Sequence, residues 1–211
     1  MRRVLITGVH SYLGQSLRAF LAQWPEEFQV ESLSVRDDNW KEADFHGFDA
    51  IYHTAALVHM EQNKHDPDQA ALYDEVNGRL PVLLAEKAKA EGVSQFIFLS
   101  TMAVYGLTAP YGKTVSITAD TPLRPADNYG RSKLAAEQGL QALAGNGFSV
   151  AILRPPMIYG KGCKGNYVTM AKLAKKLPVF PYVSNQRSML YIENLTEFVR
   201  LLIDDEAAGI F

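Results

Sequence analysis

"RRVLITGVHSYLG", residues 2–14, contains the change of periodicity on which the fold turns. Val4, Leu5, Ile6 and Thr7 form an unbroken apolar and β-prone run, the pattern of a strand buried on both faces. At Gly8 the run stops. From Tyr12 the spacing becomes helical: Leu13, Leu17, Phe20, Leu21 and Trp24 share one face until Pro25 ends it. Gly8 permits a tight turn, and Gly14 lets the helix lie close to the sheet. The helix N-terminus then offers free N–H groups and a partial positive charge to a pyrophosphate. Ser11 stands at the middle position, where a third glycine would let the backbone come closest. A serine fits there and can donate a hydrogen bond, and a plain βα turn is the competing reading.

The same alternation continues along the chain. "FQVESLSV" (28–35), "DAIYHTAA" (49–56), "QFIFLST" (95–101) and "FSVAILRPP" (148–156) read as strands. "LPVLLAEKAKAEG" (80–92) and residues 128–144 read as helices, the second preceded by a polar, Pro- and Gly-rich loop over 106–127. Strands alternating with helices predict an α/β fold with a doubly wound parallel sheet. Ligands of such sheets sit beyond the carboxyl ends of the strands. Gly8, Ala55, Ser100, Thr101 and Arg154 are therefore expected on one rim. Past Pro156 the pattern loosens into "NYVTMAKLAKK" (helix), "SMLYI" (strand) and "ENLTEFVRLLIDD" (helix). The expected division is 1–156 for the sheet domain and 157–211 for a small lobe interleaved with the last sheet elements. A new apolar strand is expected to begin within "AAGIF", and part of a larger fold to be absent.

With 47% hydrophobic and 21% charged residues, the 211-residue chain has a globular composition. A formal net charge of −2 gives no electrostatic reason to expect nucleic acid or an anionic membrane as partner. No apolar run reaches the length of a membrane span, and Gly8 follows too soon for a signal peptide. Cys163 is the one cysteine, which excludes a disulfide framework and a thiolate metal cluster. A reducing cytoplasm is the expected location.

Two further positions bear on chemistry. In "SLSVRDD" the end of the second strand carries Ser34 where a carboxylate would hold a ribose diol, with Arg36 and Asp37 just after it. Arg36 leans the choice between NAD and NADP slightly toward NADP. In "NYGRSK" Tyr129 lies one helical turn ahead of Lys133. A phenol with an ordinary pKa near 10 needs positive charge close by to act as a base near pH 7. Lys133 is placed to supply it, and Thr101 brings a hydroxyl to the same rim. Tyr and Lys four apart also occur as ordinary surface residues, so the pair alone decides little.

"ITGVHSYLG", "DAIYHTAA", "EVN", "FIFLSTMAVYG", "NYGRSK", "LRPPMIYG" and "RSMLYIENL" occur in this order, and together they resemble the extended short-chain dehydrogenases/reductases of the NAD-dependent epimerase/dehydratase family, close to the UDP-glucose 4-epimerases. The resemblance implies a Rossmann-type fold, with Tyr129 as catalytic base, Lys133 on the nicotinamide ribose and Thr101 orienting the substrate. It implies Gly8, Ser11, Tyr12, Leu13 and Gly14 around the pyrophosphate, Asp44 and Phe45 beside the adenine, and His53, Ala55 and Ala56 near the ribose. Ser100, Arg154 and Pro155 would complete the cofactor site, with Tyr159 in the segment over the nicotinamide and Asn77 as a structural residue. Arg187 and Asn166 match residues that contact the substrate pyrophosphate; a surface ion pair and a helix cap are their bland alternatives.

Met102 and Ala103 stand where family dehydratases carry an acidic pair, so dehydration is not expected. Epimerisation at C4 of a nucleotide sugar (UDP-glucose or UDP-N-acetylglucosamine) is the leading expectation. One-way reduction of a 4-keto sugar uses the same residues. A non-catalytic dinucleotide sensor is the third possibility, though such sensors usually lose the Tyr and Lys kept here. Family members commonly dimerise through a four-helix bundle, for which Leu83, Leu84 and Leu140 are candidates. His10, His46, His59 and His65 show no metal-ligand spacing and no accompanying carboxylates, so no metal is expected.

Overall fold

The structure, a computed structural model, describes residues 1–58, 67–110, 112–163, 165–179 and 186–211. His59 and His65 lie outside the described residues, as does the side chain of Asn166. In chain order the elements are β1 (Arg2–Thr7), α1 (Tyr12–Leu21), β2 (Phe28–Leu33), β3 (Ala50–His53), α2 (Pro67–Tyr73), α3 (Leu80–Ala90), β4 (Gln95–Leu99), α4 (Asn128–Leu143) and β5 (Ser149–Leu153). After them come β6 (Met157–Tyr159), α5 (Asn166–Lys176), β7 (Met189–Tyr191), α6 (Ile192–Asp204) and β8 (Gly209–Ile210).

Six strands pair in parallel in the order β2-β1-β3-β4-β5-β8. The direction of winding reverses between β1 and β3, which opens a crevice at their carboxyl ends. β1 is in register with both neighbours, Thr7 opposite Leu33 and His53. A separate parallel pair, β6 with β7, matches Met157 to Met189 and Tyr159 to Tyr191.

Alternate strand residues feed two cores, as expected for a sheet covered on both faces. On one side Val4, Ile6, Ile97 and Leu153 meet Leu17 and Leu21 of α1 and Val199 and Ile203 of α6. On the other, Leu5, Ile51, Phe96 and Ile152 meet Leu84 and Ala88 of α3 and Ala136 and Leu140 of α4. α6 earns its place by spacing: Ile192, Leu195, Val199, Leu202 and Ile203 are all buried. The C-terminal segment thus returns to the main sheet, with α6 beside α1 and β8 beside β5. Leu84 and Leu140 are fully buried against the sheet and are not available to a second chain, while Leu83 is half-buried. Among the described residues no helix is long and apolar enough to cross a membrane.

Sequence spacing does not predict the π-helical turn Asp74–Arg79 that joins α2 to α3. It carries the buried Asn77, whose Oδ1 accepts from Leu57 N at 2.8 Å and whose Nδ2 donates to Leu57 O at 3.0 Å. Both polar groups of one backbone residue are satisfied by one amide, and the segment bearing Ala55 and Ala56 is held to the rim. Asn77→Ala leaves that pair without its partner and is expected to cost about 1–3 kcal/mol in urea unfolding.

The crossover into β3 corrects two expectations. Phe45 is fully buried in the core with Trp40 and Phe48, and its N–H donates to Glu91 at 2.6 Å, one residue beyond α3. Asp49, four residues on, bonds the backbone of Arg3 at the start of β1. Asp44 and Phe45 therefore lie toward the starting ends of the strands, opposite the rim, and do not border an adenine. Burying an aromatic ring outweighs keeping this segment at the carboxyl end. The fold also gives His46 the carboxylate neighbours it was expected to lack: Asp44, His46 and Glu91 place ligand atoms within 4.8 Å of one another. Those atoms are already engaged, Asp44 with His46 at 2.7 Å and Glu91 with Lys87 and the Phe45 N–H.

Candidate active site

The turn after β1 leaves no room for side chains. Gly8 has φ +105°, and a Cβ there would lie 2.8 Å from both Ala55 N and Thr54 Oγ1. A Cβ on Gly14 would lie 2.9 Å from Ile6 Cγ2 and 3.0 Å from Thr54 Oγ1. Thr54, which sequence reading passed over, wedges both glycines while its hydroxyl donates to Thr7 O at 2.9 Å. Its signal was the hydroxyl directly after the third strand. Ser11 caps α1, its Oγ accepting from Gly14 N at 3.4 Å. Tyr12 and Leu13 are half-buried in the first turn, with the Tyr12 ring reaching Gly160 and Gly162. Burial, then the nearby Cys163, raises the Tyr12 phenol pKa. A backbone-lined hollow at a helix N-terminus, sealed against any Cβ, fits a dinucleotide pyrophosphate.

Arg36 is exposed just beyond β2, its N–H directed to Ser34 Oγ at 3.4 Å. Asp37 caps the short 3-10 turn Asp38–Lys41 by accepting from Asn39 N at 3.2 Å. His10 is an exposed loop residue.

Tyr129 sits in the first turn of α4, which Asp127 caps by accepting from Gly130 N at 2.7 Å. One helical face then meets three consecutive residues at the end of β4. Tyr129 is beside Thr101, Lys133 Nζ donates to Leu99 O at 2.8 Å, and Glu137 accepts from Ser100 Oγ. The ring edge of Tyr73 closes on Tyr129, centroids 6.4 Å apart. Burial pushes the Tyr129 pKa up to about 12, with the Thr101 hydroxyl offsetting part of the rise. Lys133 lies over the Phe98 ring at 4.5 Å, and burial lowers its pKa to about 7 against the opposing pull of Glu137. In the chain alone desolvation is the largest influence on both groups, raising Tyr129 and lowering Lys133.

That depression has a measurable sign. Between about 7 and the ordinary value of 10.5, native Lys133 is neutral while the unfolded chain holds the proton. The unfolded state binds more protons there, so this group makes stability rise with pH across that window. Lys133→Met is expected to flatten the rise, read from urea midpoints between pH 7 and 10.

Three expected cofactor contacts are occupied by the protein itself. Ser100 is buried with its hydroxyl on Glu137. Arg154 directs Nη2 to Glu137 Oε2 at 2.5 Å, Nε to Oε1 at 3.0 Å and Nη1 to the Tyr105 hydroxyl at 2.9 Å. His53 is fully buried, its Nδ1 2.7 Å from Thr7 Oγ1 and its ring stacked on Phe96 and Phe98. Burial takes the His53 pKa to about 3, which keeps it neutral. These side chains support the rim from beneath. A strand-end position fixes height in the fold, not the face toward which a side chain turns. Pro155 is half-exposed, its carbonyl accepting from Met102 N at 3.3 Å.

At Met102, the residue after Thr101, opens a cleft of about 730 Å³, lined also by Lys113, Pro156, Met157 and Arg187 among others. Its described lining holds two cations and no carboxylate. Tyr159, on the β6–β7 side, stacks obliquely with Tyr167 and Tyr191 at 5.6 and 5.4 Å.

A parallel sheet with a glycine turn at its switch point, and a Tyr–Lys pair on the helix beside β4, defines a Rossmann-type fold of the short-chain dehydrogenase/reductase class. The model of the NAD dependent epimerase/dehydratase family matches residues 4–210, and the chain belongs to that family. It is 35% identical over 163 residues to UDP-glucose 4-epimerase of Vibrio cholerae, covering 75% of this chain and 49% of that protein. It is 31% identical over 193 residues to N-acetyl-alpha-D-glucosaminyl-diphospho-ditrans,octacis-undecaprenol 4-epimerase of Escherichia coli O157:H7, covering 88% and 54%. UDP-glucuronic acid 4-epimerase from Bacillus cereus, solved in complex with NAD, matches with a TM-score of 0.76 at 19% identity, over 96% of this chain and 73% of that one. The chain spans about half the length of these two curated relatives.

Proposed function

We propose that the chain carries the cofactor and proton-transfer centre of a nucleotide-sugar 4-epimerase acting on UDP-glucose or UDP-N-acetylglucosamine. The observation that carries this reading is the placement of Thr101, Tyr129 and Lys133 at one strand end, beside a cleft that contains Arg187. Tyr129 takes the proton of the C4 hydroxyl, and Thr101 holds the C4 oxygen in line. Lys133 acts on the nicotinamide ribose, and Arg187 faces the substrate diphosphate, where a guanidinium can bond two oxygens at once. Gly8, Ser11, Gly14, Ala55 and Ala56 hold the dinucleotide. When bound, the nicotinamide supplies a hydride acceptor and a positive charge. Such a group would accept the C4 hydride and give it back, the reversible redox chemistry that inversion at C4 requires. Met102 lines the cleft and cannot titrate, which supports a reaction without dehydration.

The dinucleotide is NAD or NADP, with exposed Arg36 supporting NADP; a tighter fit to NADH than to NADPH in a fluorescence titration would reverse that preference. Residues 1–156 form the dinucleotide domain and 157–211 a partial substrate lobe interleaved with the last sheet elements, α6 and β8, in a cytoplasmic protein. A second copy would pair through the outer faces of α3 and α4, where Leu83 is half-buried. The deciding experiment incubates the protein and NAD(P) with each UDP-sugar and looks for the 4-epimer. Consumption of NADPH by a 4-keto sugar without epimer would make it a reductase, and dinucleotide binding without any turnover would make it a sensor.

A further inference from the structure

The side of α4 that carries Tyr129 and Lys133 continues, one turn later, to a third residue with no assigned part in the chemistry. Glu137 has no exposed surface, yet it accepts from Ser100 Oγ and, through both carboxylate oxygens, from Arg154. Arg154 in turn holds the hydroxyl of Tyr105, in the 3-10 turn Met102–Tyr105 that follows Thr101. One carboxylate therefore joins the end of β4, the end of β5, the 3-10 turn and α4.

The spacing gives this network a purpose. Tyr129, Lys133 and Glu137 are four residues apart, so each lies about 6 Å further along the helix axis. They meet Thr101, Leu99 and Ser100, three successive residues of one strand end. Sliding α4 along the sheet would break the Ser100–Glu137 and Leu99–Lys133 contacts together and carry Tyr129 away from Thr101. A displacement of about 1 Å at a reaction centre is enough to slow chemistry severely.

We propose that Glu137 is a positioning residue of the reaction centre, locking α4 in register with the end of β4 and supplying the countercharge for the Lys133 ammonium. This rests on the reading of Tyr129 and Lys133 as the proton-transfer pair. The other groups facing Lys133 do not provide that charge. His53, from β3, is neutral, the Tyr129 phenol holds its proton, and Arg154, from β5, is itself a cation paired to Glu137. Among the charged groups of the described residues only Glu137 pulls Lys133 toward the protonated form, against burial.

The test titrates Lys133 directly by NMR of 13Cε-labelled lysine, with the resonance assigned by its loss in Lys133→Met. Glu137→Gln keeps the shape and removes the charge. It is expected to lower the Lys133 midpoint by about one pH unit or more, and to reduce kcat at pH 7 while leaving KM for the dinucleotide in place. Should Glu137→Gln fail to fold, the paired variant Glu137→Met with Arg154→Met removes both charges without stranding either; with the Arg154 cation gone as well the midpoint shift largely cancels, and the fall in kcat at unchanged KM for the dinucleotide becomes the deciding readout. An unchanged midpoint in folded Glu137→Gln, or an unchanged kcat in the folded paired variant, overturns the proposal. The titration needs no substrate, so it gives its answer even if the epimerase reading fails.

Discussion

Tyr129→Phe is expected to reduce kcat by about 10²–10⁴-fold, the range over which a positioned acid–base group acts. The substitution removes one oxygen and keeps the ring that packs against Tyr73, so fold and dinucleotide affinity should change little. Loss of turnover with intact dinucleotide binding separates a proton-transfer role from a packing role. The electrostatics sharpen the expectation. Burial holds the Tyr129 phenol at about 12 and takes Lys133 to about 7, so near neutrality the chain alone stores its proton on the phenol. The phenolate needs further positive charge, which the oxidised nicotinamide provides when bound. With that charge in place, turnover in the oxidative direction should rise with pH as the phenolate fraction grows. The Phe variant should lack this rise. A variant that keeps wild-type kcat, with the same dependence on pH, would remove Tyr129 from the chemistry.

The backbone plan was readable from residues 2–14 outward because parallel strands buried on both faces leave long apolar runs, and glycines and prolines mark their ends. β1, β3, β4 and β5 fall within the predicted ranges, and α5 spans Asn166–Lys176 as its spacing predicts. Missing from that plan were α2, the π-helical turn and β6. Asn77 fixes the first region through a side-chain contact with Leu57, twenty residues away, and local periodicity does not encode such a contact. Site residues show the same division. Gly8 and Gly14 are legible because a missing side chain is a property of the residue itself. Ser100, His53 and Arg154 are at the expected height but turn inward to Glu137 and Thr7, partners that only the fold identifies. Asp44 and Phe45 failed because a short crossover draws Phe45 into the core and leaves the pair at the wrong end of the sheet.

Arg154→Met should be the most destabilising single change in this region, about 3–5 kcal/mol in chemical unfolding, because it strands a charge where water cannot reach it. Glu137 has no exposed side-chain surface and Arg154 only 9%, so neither partner of the ion pair can turn to solvent for compensation. Methionine replaces the aliphatic stem and leaves Glu137, among the described residues, with Ser100 as its one remaining hydrogen-bond donor. Tyr105→Phe, which removes only the hydroxyl facing Arg154 Nη1, should cost about 1 kcal/mol and sets the scale of an ordinary hydrogen bond in the same network. Removing the carboxylate as well, in the paired variant Glu137→Met with Arg154→Met, takes away the stranded charge and should recover part of the loss. A paired variant as unstable as Arg154→Met alone would mean that the loss is one of packing rather than of charge.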